Sequence, residues 1–204
     1  MSGSTIQGLT LYRPKIGKRI PTFLTNEDVD RLLNAIDADY DLKLSDRQII
    51  DSKILWLKDV ILFGVGTGLR LSEITSLRWR DVDFVSGFLT VRNHETFRTK
   101  SGHERSIPLV GDALSTLTKR KESSATLTGD WVFTNGKGNR LISGYVLKRF
   151  KFYVRLAKLP EEFHFHTLRH TCASWLAQNG VSLLTIQKIL GHSDFRDTLI
   201  YSHL

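Results

Sequence analysis

The stretch HTLRH, residues 166–170, brings two imidazoles and one guanidinium together within five residues. If this stretch is helical, His166, Arg169 and His170 share one face, because residues three and four apart are neighbours on a helix surface. An arginine presents a planar fork of donors that suits two oxygens of a phosphate. The pattern therefore favours an anion site, although solvated residues on a helix surface would give the same pattern.

The histidines also raise the possibility of a metal site. His166 and His170 have the spacing of the two histidines in a metalloprotease helix. His164 and His192 are further candidate ligands, since zinc sites need three or four. However, Thr167 follows His166 where a metalloprotease helix carries the glutamate that acts as a base. We therefore expect no metal and no other cofactor.

A second arginine follows two glycines in GTGLRLSE, residues 66–73. No Gly-Lys-Ser/Thr follows these glycines, so the segment is not a P-loop. The glycines end an apolar helix and place Arg70 at the start of the next turn. Glu73, three residues further on, is positioned to hold the Arg70 guanidinium in one rotamer. Such an arginine fits a phosphate, and a structural ion pair at a helix junction fits the pattern equally well.

Lys100 and Tyr201 complete the set of candidate residues. Lys100 stands at the tip of a predicted hairpin in TKSGHERSIPL, where a lysine can reach a DNA groove or deliver a proton. Tyr201 follows GHSD, and a tyrosine hydroxyl can act as a covalent nucleophile when it is aligned with an electrophile. Taken singly, Lys100 fits an ordinary exposed lysine on a loop, and Tyr201 fits an ordinary tyrosine that packs against a helix. The order Arg, Lys, His-x-x-Arg, Gly-His, Tyr points to one site.

Mostly helical elements are predicted to position these residues. A first helix begins after Thr25, which forms a capping box with Asp28. Its apolar stripe comprises Val29, Leu32, Leu33 and Ile36. The stretch DYDLKLSD, residues 39–46, is predicted to be a loop, and a central apolar helix follows from about Arg47 to Val65.

The second half of the chain combines a small sheet with further helices. Short segments rich in Thr, Val and Ile predict an antiparallel sheet over residues 88–109. Helices are predicted over residues 111–122, 143–157, 167–179 and 182–190 and near 197–203, and WVFT, residues 131–134, is predicted to be extended. The fold class is therefore mainly α with a small antiparallel β-sheet, an α+β domain.

The charge balance favours a polyanionic partner. Lys and Arg total 29 against 21 Asp and Glu, which gives a net charge of +8, and nucleic acid is the usual partner of a basic protein. A soluble protein that happens to be basic would have the same total. The single cysteine, Cys172, excludes an intrachain disulfide and fits an intracellular setting. No signal peptide and no membrane-spanning run is predicted.

Four segments together resemble the tyrosine recombinase (phage integrase) family. GTGLRLSEI resembles the family's first-arginine box, and TKSGHERSIPL resembles its hairpin-lysine segment. HTLRHTCASWLAQNGVSLLTIQKILGHSD resembles its central box, and TLIYSHL resembles its nucleophile box. The resemblance covers roughly residues 23–204 and implies the catalytic-core fold of this family. It also implies double-stranded DNA as the substrate and further recombinase subunits, in a tetrameric synapse, as partners.

The resemblance implies a role for each candidate residue. Tyr201 would attack the scissile phosphodiester and form a 3′-phosphotyrosyl link, without metal or ATP. Arg70 and Arg169 would grip the non-bridging oxygens, and His192 would hydrogen-bond the phosphate. Lys100 would protonate the departing 5′-oxygen.

Three further residues would assist the reaction. His166 would help to deprotonate the tyrosine, Glu73 would orient Arg70, and His170 would support the site through packing. We also expect Tyr201 to be mobile without DNA, because so few residues follow it in the sequence.

The resemblance also implies how the chain is organised and where it acts. Residues 1–22, with four basic residues in YRPKIGKRIP, are expected to be a basic arm, and residues 23–204 the catalytic domain. On this resemblance, the family's N-terminal DNA-clamping domain and C-terminal tail are expected to have no counterpart in these residues. The expected location is the DNA in the cytoplasm of a bacterial or phage-infected cell. A type IB topoisomerase-like enzyme and a non-catalytic DNA-binding protein on the same scaffold remain the alternatives.

Overall fold

Seven helices and five strands are present in the residues that the structure, a computed structural model, describes. These residues are 5–6, 9–10, 21–45, 54–93, 97, 99, 102, 104–123, 129–135 and 138–204. The helices are α1 (Asn26–Ser45), α2 (Trp56–Thr67), α3 (Leu71–Thr75), α4 (Gly111–Ser123), α5 (Ser143–Leu156), α6 (Thr167–Gln178) and α7 (Leu183–Leu190). The strands are β1 (Thr5–Ile6), β2 (Leu9–Thr10), β3 (Val82–Asp83), β4 (Phe88–Val91) and β5 (Arg105–Pro108). The mainly α fold with a small antiparallel sheet is confirmed.

Helix α1 begins with the predicted capping box. The Asp28 N–H donates to Thr25 Oγ1 over 3.1 Å, and the Thr25 N–H donates to Asp28 Oδ2 over 3.0 Å. The buried side of the helix carries Val29, Leu32 and Ile36, as its apolar stripe predicts.

The end of α1 corrects the sequence prediction. Residues 39–45 were predicted to be a loop, but the helix continues to Ser45. Lys43 and Asp39 form an ion pair of 2.6 Å one helical turn apart, and the Tyr153 hydroxyl donates to Asp39 Oδ2 over 2.6 Å. These contacts stabilise the last turn, whose two leucines, Leu42 and Leu44, are exposed and add nothing to the core.

Helix α2 is the centre of the core. Most of its residues are buried, and it packs against α4 and α6. It ends at Gly68, which adopts the left-handed conformation with φ +64° and donates its N–H to the Gly64 carbonyl over 2.9 Å. The predicted start near Arg47 lies outside the described residues.

The sheet has the antiparallel order β3–β4–β5. Leu89 of β4 pairs with Ile107 of β5, and both are buried against the helical core. The predicted sheet over residues 88–109 is thus confirmed for β4 and β5, and β3 is an addition. Most of HETFRT and Lys100 itself lie outside the described residues. Residues 131–134 form isolated bridges at Trp131 and Thr134 rather than a strand.

The C-terminal part ends in turns rather than the predicted helix near 197–203. Helix α7 begins at the N-cap Ser182 and ends at Gly191 with φ +67°. Two 3-10 turns follow, Phe195–Asp197 and Leu199–Tyr201. Thr198 lies buried between them, with its hydroxyl 2.9 Å from Nδ1 of His192, six residues earlier in the chain. Across the described ranges, no helix is both long and apolar enough to cross a membrane.

Candidate active site

Arg169 lies at the centre of the candidate site and is only 2% exposed. Its Nη1 donates to the Gly68 carbonyl over 3.0 Å, and its Nη2 donates to the Leu190 carbonyl over 2.7 Å. These carbonyls belong to the corners that end α2 and α7. The alternative of a solvated arginine on a helix surface is therefore wrong for Arg169.

Among the residues that the structure describes, no carboxylate forms an ion pair with Arg169. Burial, followed by the neighbouring charge of Arg70, lowers the pKa of the Arg169 guanidinium to about 10. The group is still a cation at neutral pH, held by neutral carbonyls. A buried cation beside a second cation is stabilised when an anion binds between them.

Arg70 is the second cation and caps the start of α3. The Glu73 carboxylate accepts the Arg70 backbone N–H over 2.7 Å, and it lies 3.4 Å from Arg70 Nη1. The Arg70 side chain is 22% exposed, whereas that of Glu73 is 1% exposed. The structure thus brings Glu73 next to Arg70 as predicted, but the two side chains share only one contact, and it is long. The Arg70 guanidinium is therefore only loosely held.

Arg105 is a residue of this site that the sequence analysis missed. Its guanidinium forms two hydrogen bonds of 2.9 Å with the Glu73 carboxylate. In the same segment, the predicted hairpin tip favours Lys100 instead. Arg105 meets a partner 32 residues away in the sequence, and no local spacing signals such a pair.

Tyr201 is buried rather than mobile, which corrects the expectation from the sequence. The residue is 2% exposed and packs with Ala173, Ile186 and Leu190. Its hydroxyl lies 2.7 Å from His170 Nδ1. Burial raises the pKa of the Tyr201 phenol, and the charge of Arg169 opposes this rise. An apolar pocket and one hydrogen bond therefore hold the phenol beside α6, although few residues follow it.

His166 and His170 lie edge to face at the start of α6, with ring centroids 4.9 Å apart. Partial burial is the main cause that lowers the pKa of each imidazole to about 4, and neighbouring cations contribute. Both rings are therefore neutral at pH 7. The sequence assigned the tyrosine proton to His166, but His170 is the residue in contact with the Tyr201 hydroxyl. His170 thus has a polar contact in addition to its expected packing role.

His192 follows the left-handed Gly191 at the end of α7. Its Nδ1 lies 2.9 Å from the Thr198 hydroxyl, which fixes the orientation of the ring. Partial burial and the charge of Arg169 lower the pKa of His192 to about 4. A neutral imidazole with one nitrogen occupied can offer the other nitrogen to an oxyanion.

Lys100 lies outside the described residues, but Asn93, Thr99 and Gly102 near it in the sequence are described. The Asn93 side chain accepts the Thr99 N–H over 2.7 Å and donates to the Gly102 carbonyl over 2.8 Å. Asn93 therefore links Thr99 and Gly102, which lie on either side of Lys100 in the sequence. Among the residues that are described, no group of three or more His, Cys, Asp or Glu could hold a metal ion.

The described part of the site combines Arg70 and Arg169, the Arg105–Glu73 pair beside them, three neutral imidazoles and one phenol. Such a set can bind an oxyanion next to a nucleophilic hydroxyl. The phenol needs a proton acceptor before it can attack, and the imidazole of His170 is already in hydrogen-bond contact with it.

Comparison with known proteins agrees with the sequence resemblance. Residues 22–204 match the model of the phage integrase family. The tyrosine recombinase XerC of Oceanobacillus iheyensis is 32% identical over 202 residues, which cover 95% of this chain and 60% of the relative. The tyrosine recombinase XerA of Pyrococcus furiosus is 33% identical over 199 residues, which cover 95% and 61%. The chain therefore spans about 60% of the length of these relatives.

Solved structures have the same fold. The XerH site-specific recombinase bound to its difH substrate is 27% identical with a TM-score of 0.67, and the match covers 95% of this chain and 54% of XerH. A lambda integrase dimer bound to a core site is 24% identical with a TM-score of 0.65, and the match covers 90% and 62%. At this identity the lambda integrase match supports the fold alone.

Proposed function

Because this chain belongs to the phage integrase family, we propose that it is a site-specific DNA recombinase that works through a 3′-phosphotyrosyl intermediate. The observation that carries the proposal is the contact between the Tyr201 hydroxyl and His170, the residue next to buried Arg169. The candidate nucleophile, in the turn Leu199–Tyr201, thus contacts a proton acceptor on α6 that adjoins a buried cation. The relatives are named recombinases, which favours strand exchange over a topoisomerase-like or non-catalytic role.

In the proposed reaction, Tyr201 Oη forms a bond to phosphorus as the bond from phosphorus to the 5′-oxygen breaks. The phenol proton leaves through the imidazoles of His166 and His170, and Lys100 gives a proton to the 5′-oxygen. A 5′-hydroxyl of the partner strand then attacks the phosphotyrosine and regenerates Tyr201. The phosphodiester energy is kept in the covalent link, so the cycle needs no ATP.

In this proposal, two arginines provide most of the electrostatic stabilisation of the transition state. Arg70 and Arg169 would bind the non-bridging oxygens, whose charge grows in the transition state, and His192 would hydrogen-bond the same phosphate. Loss of one such contact costs about 3–4 kcal/mol of transition-state stabilisation, as for oxyanion-hole donors. Glu73 would keep Arg70 near the site without neutralising it.

The partners follow from the same proposal. XerH was solved bound to its difH substrate, which supports a recombination site on duplex DNA as the substrate of this chain. Strand exchange between two sites would bring in further recombinase subunits as partners. We propose residues 23–204 as the catalytic unit and the basic residues 1–22 as an arm. The place of action would be DNA in the cytoplasm of a bacterial or phage-infected cell.

The proposal is tested by trapping the covalent intermediate. The full chain is incubated with a pool of nicked duplexes that carry a randomised central region, and adducts that resist SDS are collected. We expect an adduct with the wild-type chain, in the presence of EDTA as in its absence, and none with Tyr201→Phe. Tyr145→Phe, which changes a tyrosine on α5 that is 40% exposed, is the matched control. An adduct with Tyr201→Phe would show that the nucleophile is assigned wrongly.

A further inference from the structure

Arg105 connects three parts of the candidate site. It begins β5, opposite Val91 of β4, and its side chain is 9% exposed. The guanidinium reaches Glu73 at the start of α3, and its Nε donates to the Ile189 carbonyl over 2.9 Å. One side chain thus joins β5, the start of α3 beside Arg70, and the end of α7.

The Glu73 carboxylate is held mainly by Arg105. Arg105 Nη1 and Nη2 each donate over 2.9 Å to a different carboxylate oxygen, which is the strong bidentate geometry. Arg70 reaches the same carboxylate with one nitrogen at 3.4 Å and is 22% exposed. Charge-assisted hydrogen bonds weaken with distance and exposure, so Arg105 is the dominant partner.

The end of α7 is shaped to admit this arginine. A Cβ atom at Gly191 would lie 2.9 Å from Arg105 Cδ and 3.0 Å from its Nε. Only glycine leaves room here while adopting φ +67°. The corner that precedes His192 therefore packs directly on the Arg105 side chain.

We propose that Arg105 is a positioning residue that occupies the Glu73 carboxylate and so leaves the Arg70 guanidinium free to bind phosphate. This inference rests on the proposed function for its effect on cleavage. Without Arg105, a buried carboxylate would keep only Arg70 as its partner. A buried carboxylate is strongly unfavourable unless it is paired, so Glu73 would draw Arg70 into a closer ion pair and away from the substrate.

The test compares Arg105→Ala with the double variant Arg105→Ala/Glu73→Gln. The first readout does not depend on activity. It is the NMR signal of the Arg70 Nε–Hε group, recorded on the full chain without DNA and assigned by its loss in Arg70→Lys. We expect this signal to shift and its exchange with water to slow in Arg105→Ala, and to return towards the wild-type position in the double variant. The second readout is the rate of adduct formation on the nicked-duplex pool at saturating protein. We expect the rate of adduct formation to fall about 10-fold in Arg105→Ala, while DNA affinity stays nearly unchanged. The rate should recover in the double variant.

Arg120→Ala is the matched control, because Arg120 also donates to a carbonyl, that of Val132, and to a carboxylate, that of Asp59. It should leave both readouts unchanged. If Arg105→Ala does not fold, Arg105→Lys with and without Glu73→Gln makes the same comparison, with smaller effects.

Two outcomes would overturn the inference. The first is an Arg70 signal that is the same in the wild-type chain and Arg105→Ala. The second is a slow Arg105→Ala variant that Glu73→Gln does not restore, since Arg105 would then support only the fold. If the wild-type chain forms no adduct while the Arg70 signal responds as expected, the proposed function fails and the positioning of Arg70 stands.

Discussion

At the scale of single residues, the Tyr201 phenol is restrained and protonated in the absence of substrate. It lies in an apolar pocket, and its hydroxyl is 2.7 Å from His170 Nδ1. Burial raises the pKa of the phenol, so the phenolate forms only when a partner stabilises it. A phosphate between Arg70 and Arg169 would bring the electrophile to a nucleophile that is inert towards solvent until then.

His170→Ala is expected to make Tyr201 more reactive towards solvent reagents. A neutral hydrogen bond contributes about 1 kcal/mol, so its loss should raise the nitration rate of Tyr201 about fivefold at a fixed pH. Peptide mapping after tetranitromethane treatment measures this rate. The control is His164→Ala, since the His164 ring contacts the Glu162 carbonyl instead. Equal nitration of Tyr201 in the wild-type chain and His170→Ala would show that the apolar pocket alone holds the phenol.

The neutral histidines predict that the chain loses stability in mild acid. The pKa values of His170 and His192 are lowered to about 4 in the folded chain, from an ordinary value of 6.5. Unfolding therefore takes up protons between pH 6.5 and 4. The contribution of these histidines to the free energy of unfolding is fully present above pH 6.5 and decreases as the pH falls through this window. Each histidine contributes at most about 1.4 kcal/mol per pH unit.

Urea unfolding at several pH values measures the slope. His170→Asn and His192→Asn should each flatten it between pH 6.5 and 4. The same substitution at the exposed His203 is the control. If His203→Asn flattens the slope as much as the other two variants, the assignment to the site histidines is wrong.

At the scale of elements, two left-handed glycine corners hold the site together. Gly68 ends α2 and offers its carbonyl to Arg169, and Gly191 ends α7 and makes room for Arg105. Each corner therefore sets both the direction of the chain and the position of an arginine. The helix ends, more than the helix faces, determine the geometry of this site.

Gly68→Ala is expected to destabilise the chain more than Gly180→Ala. Both glycines have positive φ, +64° and +77°, and the left-handed conformation costs an alanine about 1–2 kcal/mol. At Gly68 the added Cβ would also lie 2.5 Å from Leu190 Cδ2, whereas at Gly180 it meets nothing within 4 Å. Overpacking adds about 1–3 kcal/mol at Gly68 alone. Urea denaturation measures the difference, and equal losses would contradict a tight corner at Gly68.

The elements also show which contacts a sequence reveals. The capping box of Thr25 and Asp28 and the pair of Arg70 and Glu73 each span three residues, and local spacing predicts both. The last turn of α1 was missed because Asp39 meets Tyr153, which is 114 residues away. His170 and Tyr201 are 31 residues apart, and their contact depends on how α7 folds back on α6.

At the scale of the whole molecule, residue types and their order predict the family and the fold class, and they select most of the residues that the structure brings to the candidate site. They do not predict the burial of Arg169, the docking of Tyr201 against α6 or the pairing of Arg105 with Glu73. Each of these depends on long-range packing that brings α3, α6, α7 and β5 to one place. The free energy of such contacts depends on the assembled core and leaves no periodic pattern in the sequence.

The net charge of +8 and the candidate phosphate contacts predict that DNA affinity falls steeply as salt increases. Bound cations release counterions from DNA, and log Kd changes linearly with log salt with a slope of about 0.9 per phosphate contact. Arg70→Gln should reduce this slope by about 0.9, because it removes one contact. Arg120→Gln removes the same charge, but from a side chain that is ion-paired with Asp59 over 2.6 Å and is 14% exposed. It should leave the slope almost unchanged. Fluorescence anisotropy on a mixed-sequence duplex measures both slopes, and equal reductions would mean that net charge rather than a phosphate contact at Arg70 governs binding.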